Sequence, residues 1–363
     1  MRGCPSCGVS RGLRRCRSGD YREFDGEWVA AAPDAKGRKE NGRMLVVEST
    51  RPVVDSATRV SIDDEAIARW AKGISRDALR PSGHDLLGKL SGTPGQLANL
   101  VLLIDALNFC FWSDNPLKIE WRGVTYERFQ AMLVSILLAV RHEPAWFDAQ
   151  YWMEVPSEEI RQVLSGSGEL LLLDERERII RETGRVLLER FDGQFIHAIE
   201  SVVAGAWPLG VRLMARFGSF WGVGTYRGKI VYFMKRAQIT ALDVSVAWQH
   251  RDYPPLAGLE ELTAFADYRV PQALRHLGIL KFGDELAGRV EKEEEIAAGS
   301  EEEMEIRAMT VHAVDWMVTA LAGQGKKTAA WEVDWYLWEL SHAAEVTVGQ
   351  HRTRTVYYEG LGD

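Results

Sequence analysis

The chain has 363 residues, 46% of them hydrophobic and 26% charged, enough to bury a large core in one big domain or two smaller ones. Lys and Arg number 44 against 52 Asp and Glu, a formal charge of −8; duplex nucleic acid requires a basic face, so this balance argues against a large nucleic-acid polymer as partner and for a small molecule. No apolar run of about 18 residues and no secretory segment occurs, so no membrane span or export is expected.

Residues 1–51, rich in Gly, Arg and Lys, read as a disordered leader. Cys4 and Cys7 form a CxxC there with Cys16 nearby, but no His precedes His84 to complete a four-ligand zinc site. Together with Cys110 these are read as reduced thiols of a cytoplasmic protein.

The folded domain is expected over 52–363. Ser61, followed by Asp64 and Glu65, predicts a capped helix with Ile67, Trp70 and Ile74 on one stripe. Leu97 to Trp112 is apolar almost all round and predicts a buried helix. Arg122-Gly123, between short β-like runs, predicts a hairpin over 117–125, and Tyr126 to Arg141 returns to helical spacing. Ser157 is expected to cap a helix with Glu158 and Glu159 in its first turn. Helices follow at about 174–190, 193–205 and 207–217, then a second hairpin, Tyr226 to Phe233, turning at Arg227-Gly228. Further helices are expected at about 234–249, 259–265, 271–278, 283–294, 303–322 and 330–345. The acidic run Glu291 to Glu305 reads as a solvated loop and helix start. Helical stripes far outnumber the two small hairpins, so the fold class is mainly α.

Four segments carry candidate chemistry. Lys235, Ile239, Leu242 and Val246 share a helix face. The Lys235 ammonium either snorkels along that stripe or points into a pocket toward an anion such as phosphate, and Arg236 adds a second cation. In Phe265-Ala-Asp-Tyr-Arg-Val-Pro, Asp267 approaches a helix N-terminus whose dipole favours its ionised form. It is either a capping residue or the carboxylate that glycosidic cleavage places beside an anomeric carbon. Trp331, Trp335 and Trp338 share a face with Asp334, and Glu339 follows one turn on; the indoles pack on the core or stack on a flat ligand whose cation or diol the acids accept. Asp105 and Asn108 sit in an apolar helix and must bond either to neighbouring backbone or to a ligand. His84 is an exposed loop residue or a ligand contact. No Walker loop, dinucleotide fingerprint, HExxH or GxSxG occurs.

The stretches IDALNFCFW (104–112), WRGVTYERF (121–129), RIIRETGRVLLERFDGQF (178–195), YRGKIVYFMKRAQI (226–239), LTAFADYRVPQALRHLGILKF (262–282), EIRAMTVHAVDWMV (305–318) and DWYLWELSH (334–342) occur in order. Together they resemble the queuosine salvage family, the queuosine 5′-phosphate N-glycosylase/hydrolases, from about 52 to 358. The resemblance implies hydrolysis of queuosine 5′-monophosphate to queuine and ribose 5-phosphate. It also implies a multi-helix fold related to helix-hairpin-helix DNA glycosylases, with no metal or organic cofactor. By the matching motifs, Asp267 is the expected catalytic carboxylate. Lys235, His84, Asp334, Trp335 and Glu339 match binding positions, Glu339 standing where the family's second acid is Asp.

Queuine is a 7-deazaguanine, so N7 protonation cannot help the base depart, and it carries a secondary ammonium and a cyclopentenediol. Chemistry assigns the phosphate to Lys235 and Arg236 with His84, base stacking to Phe265 and Tyr268, and the ammonium and diol to Asp334 and Glu339 with Trp335 or Trp338 packing alongside. The competing readings are a DNA-repair glycosylase on the related fold and a non-catalytic queuine- or nucleotide-binding protein.

Overall fold

The computed structural model describes residues 14–15, 21–24, 27–30, 42–80, 91–202, 206–249 and 253–356. The contacts divide into two units, Met1–Glu40 and Asn41–Asp363. In the first, strands Arg14–Arg15, Tyr21–Phe24 and Glu27–Ala30 pair antiparallel in that order. Cys4, Cys7, Cys16 and His84 lie outside the described residues. The boundary expected at 51/52 falls inside the helix Gly42–Val54. Val46, Thr50 and Val53 of that helix are buried, and the Thr50 hydroxyl bonds His312 Nε2 at 2.9 Å. A Gly- and Arg-rich composition hid that short stripe.

The second unit is mainly helical. Helix Pro94–Ala106 opens on a Thr93/Gln96 capping box with Pro at its first turn, and every residue from Leu97 to Ala106 is buried. It ends six residues before the expected Trp112: Leu107 to Trp112 leaves the helix, with Cys110 at φ 49°. Buried Arg176, from helix Leu173–Phe191, holds this exit. Its guanidinium donates to Leu107 O (2.6 Å), Phe109 O (2.6 Å), Cys110 O (3.0 Å) and Leu171 O (2.9 Å). Burial lowers its pKa to about 9.

Both expected hairpins form, Lys118–Trp121 with Val124–Glu127 and Val223–Tyr226 with Lys229–Tyr232. Each turns through an Arg-Gly pair with positive φ (54° and 77°, then 48° and 77°), the backbone that matches strand twist in two-residue turns. One strand pair was not foreseen. Val60–Ile62 pairs antiparallel with Leu280–Phe282, so Ser61 lies in a strand and Asp63 caps the following helix by accepting from Ala66 N at 2.9 Å. Pro156, not Ser157, stands at the N-cap of helix Ser157–Val163. The helix expected at 259–265 is one 3-10 turn, Leu259–Glu261.

Helix Glu301–Ala322 lies against Gly42–Val54, Asp64–Gly73 and Ala330–Leu340. Its start corrects the reading of a solvated acidic run: Glu303 and Glu305 are buried. Glu305 accepts from Thr58 N, Arg59 N, Arg59 Nη1 and the Tyr226 hydroxyl. Among the described residues no helix is long and apolar enough to cross a membrane.

Candidate active site

The second hairpin leads directly into helix Lys235–Trp248, which packs along Pro94–Ala106. Met234 makes the junction in the left-handed region (φ 50°), and Gly222 lies against it. Lys235 therefore begins its helix at a fixed place. Arg269–His276, a short helix, packs on Ala330–Leu340. The two helix starts, at Lys235 and Arg269, meet at Asp267.

Asp267 Oδ1 accepts from Arg269 N at 2.7 Å and Val270 N at 3.2 Å, satisfying donors that a helix start leaves unpaired. Its Oδ2 lies 3.4 Å from Lys235 Nζ, which is also 3.4 Å from Asn108 O. Burial lowers the Lys235 pKa, against the opposing pull of Asp267. Pro271 is the third residue of its helix, and Val270 before it is helical rather than extended.

Asp267 sits where two cavities meet. The larger, about 510 Å³, has Phe265, Trp335 and Trp338 among its walls, together with Phe111 and Phe129 from an earlier part of the chain. The smaller, about 70 Å³, is lined by Arg236, Arg307, His351, Thr353 and Thr355 together with Glu303. Asn108, Phe109, Lys235, Asp267 and Tyr268 line both. The Tyr268 hydroxyl accepts from Phe111 N at 3.2 Å, and burial pushes its phenol pKa up. Trp335 and Trp338 have ring centroids 5.5 Å apart, and Trp338 lies 4.5 Å from the His342 ring.

Asp334 is buried, and its Oδ1 accepts from Phe265 N at 2.8 Å. Burial first, then the charge of Asp267, raises its pKa to about 8. A carboxyl in that state favours its protonated form at neutral pH and is able to donate a hydrogen bond. The sequence reading casts Asp334 and Glu339 as acceptors. Glu339 accepts from Trp335 Nε1 at 2.8 Å and is not among the cavity-lining residues; it orients an indole.

Arg236 also differs from a free phosphate ligand. Its guanidinium donates to Ala106 O at 2.6 Å and Val356 O at 2.5 Å and lies over the Phe109 and Phe220 rings at 5.2 and 5.8 Å. Burial lowers its pKa to about 9. It anchors the smaller cavity's wall.

Residues 90–358 match the family described as queuosine salvage protein. The chain belongs to that family. It is 41% identical over 317 residues to a queuosine 5′-phosphate N-glycosylase/hydrolase of Sphaerobacter thermophilus, covering 87% of this chain and 98% of the relative. Relatives of the same name from Dictyostelium discoideum and Bos taurus are 37% and 30% identical, covering 76% and 88% of this chain and 82% and 100% of theirs.

Of the residues expected from the sequence, Lys235, Phe265, Asp267, Tyr268, Asp334, Trp335 and Trp338 all line the larger cavity. Sequence reasoning missed Arg307, His351 and Asp243. Arg307 is mostly buried on helix Glu301–Ala322, donates to Ala266 O at 3.2 Å and lies 4.2 Å over the Phe233 ring. His351 is buried with its pKa lowered to about 4, chiefly by desolvation. Asp243 lies two turns beyond Lys235 and one residue off the apolar stripe. Its polarity inside a buried helix was the available signal.

Proposed function

We propose that this chain hydrolyses the N-glycosidic bond of queuosine 5′-phosphate, releasing queuine and ribose 5-phosphate. The observation that carries the reading is Asp267, accepting from helix-start N–H groups and facing Lys235, at the junction of an aromatic cavity and a small cationic one. A flat base fits the larger cavity between Phe265 and the Trp335/Trp338 pair. The ribose spans the junction at Asp267, and its phosphate is directed toward the smaller cavity, where Arg307, His351, Thr353 and Thr355 lie. C1′ then lies beside Asp267.

The carboxylate stabilises the oxocarbenium-like sugar as the C1′–N9 bond breaks. Lys235 pins its second oxygen. The 7-deazapurine leaves with negative charge, since it has no N7 to protonate. Asp334, protonated and donating through the oxygen that Phe265 N does not use, supplies a hydrogen bond to the departing ring. Water adds its hydroxyl to C1′, and its remaining proton ends on the base. Burial keeps the reaction surroundings of low polarity, which strengthens both interactions.

The same reading makes the substrate a small nucleotide and not a nucleic-acid polymer, with −8 formal charge in support. It also takes the helical fold as kin to helix-hairpin-helix glycosylases and the compartment as cytoplasm. Purified protein incubated with queuosine 5′-phosphate should release queuine, followed by mass spectrometry. No queuine above the enzyme-free control would overturn the proposal. Tight low-salt binding to duplex DNA in a gel shift would instead favour a repair glycosylase.

A further inference from the structure

One buried acid pair has no part in the chemistry above. Asp105, in helix Pro94–Ala106, is fully buried, and Asp243, in helix Lys235–Trp248, is 5% exposed. Only Asp243 reaches the larger cavity. Asp105 has Thr240 and Asn108 near enough to lower its pKa but outside hydrogen-bond geometry. The Lys235 and Arg236 charges act on Asp105. For Asp243 the influences are burial and Asp105, both raising its pKa. Among the described residues, this cavity-facing carboxyl has an acidic neighbour and no ion-pair partner. Such a group costs stability unless an occupant supplies the missing donor.

The position says which part of a ligand that is. Asp243 lies eight residues beyond Lys235, about 12 Å along the helix axis at 1.5 Å per residue. Lys235 marks the Asp267 end, where C1′ lies on the proposed reading. A purine-like ring built from bonds of roughly 1.4 Å extends only about 6 Å from C1′. A carboxyl so far along the wall lies past the reach of the ring itself, at a distance that a substituent several bonds long, attached at the seven-position and directed along the wall, can span.

We propose that Asp243, backed by Asp105, is a specificity residue that binds the cationic, hydroxyl-bearing arm on the seven-position of the 7-deazaguanine. This rests on the hydrolase reading and extends it from the bond broken to the substituent recognised. The arm's secondary ammonium provides the positive charge that the acid pair lacks, and its two hydroxyls are donors for the remaining carboxyl oxygen. A base without the arm leaves Asp243 facing an apolar ring. The expected consequence is selection against the unsubstituted nucleotide, since a buried polar group left unpaired penalises the wrong ligand more than a lost contact does.

The test compares kcat/KM for queuosine 5′-phosphate and 7-deazaguanosine 5′-phosphate in wild type and in Asp243→Asn. Wild type should prefer queuosine 5′-phosphate by on the order of 100-fold. Asp243→Asn should lower that preference at least about tenfold, by slowing the queuosine substrate while leaving the unsubstituted one unchanged or faster. An equal loss on both substrates would mean that Asp243 serves the ring or the fold, and no loss on either would mean that it serves neither; each result overturns the inference. Asp243→Glu, which keeps the carboxyl group, should retain part of the preference and separates recognition from packing. A wild-type protein that releases no queuine would refute the hydrolase reading. An active wild type with an indifferent Asp243→Asn refutes only the role of Asp243.

Discussion

Replacing Asp267 by Asn removes one negative charge and little else. Asn is as good an acceptor for helix-start N–H groups as Asp, so the bonds from Arg269 N and Val270 N have a substitute. The missing charge acts on the sugar cation. At about 3.5 Å and an effective dielectric of about 20, a unit charge pair is worth 332/(20 × 3.5), or roughly 5 kcal/mol. Only the part realised in the transition state affects rate. At about 1.4 kcal/mol per decade, kcat should fall on the order of 10³-fold. The assay is queuine release from queuosine 5′-phosphate at saturating substrate, read by mass spectrometry. Asp267→Asn also leaves the buried Lys235 ammonium without its carboxylate, which costs stability. The double variant Asp267→Asn/Lys235→Met removes that orphan and should regain thermal stability without regaining activity. A single variant turning over within about tenfold of wild type would refute the assignment, because a group supplying even half of that interaction could not be lost so cheaply.

Three further outcomes follow from particular contacts. Asp334 binds a proton up to about pH 8 in the folded chain but only to about pH 4 when unfolded; the folded state therefore holds the extra proton between these values, and wild-type stability falls as pH rises through that window. Asp334→Asn, whose amide oxygen still accepts from Phe265 N, lacks this fall, so its melting temperature should gain on wild type from pH 4 to pH 8 in thermal scans and then level. Arg176→Met strips donors from the carbonyls of Leu107, Phe109, Cys110 and Leu171; a loss of about 3 kcal/mol or more is expected in urea unfolding, and an unchanged midpoint would deny the guanidinium its role at the helix exit. A methyl at Gly222 would lie 2.7 Å from Met234 N and 2.9 Å from Met234 Cα, so Gly222→Ala must shift the start of the Lys235 helix. Displacing that lysine should cost about tenfold or more in kcat/KM for queuosine 5′-phosphate, and full activity would show that the junction adapts.

What the sequence by itself determined is written in short spacings. Helical stripes located most helices, Arg-Gly pairs located both hairpins, and the Phe-Ala-Asp-Tyr-Arg-Val-Pro run put Asp267 at a helix start. These features depend on residues within about four positions of one another, where periodicity and capping act. Element ends were less legible: Leu107 to Trp112 is as apolar as the helix before it, yet a distant arginine draws its carbonyls away. The strand pairing of Val60–Ile62 with Leu280–Phe282 joins segments more than 200 residues apart and left no local sign. Only the tertiary structure brought Arg307 and His351 to the smaller cavity beside Lys235. It also decided charge. In sequence Asp105 reads as a buried polar group in need of a partner, Asp334 as an acceptor for a ligand's cation or diol, and Glu303 and Glu305 as part of a solvated run, while Asp243 goes unread. Their states follow from desolvation and from which charges the packing sets beside them, quantities that exist only once distant helices have met.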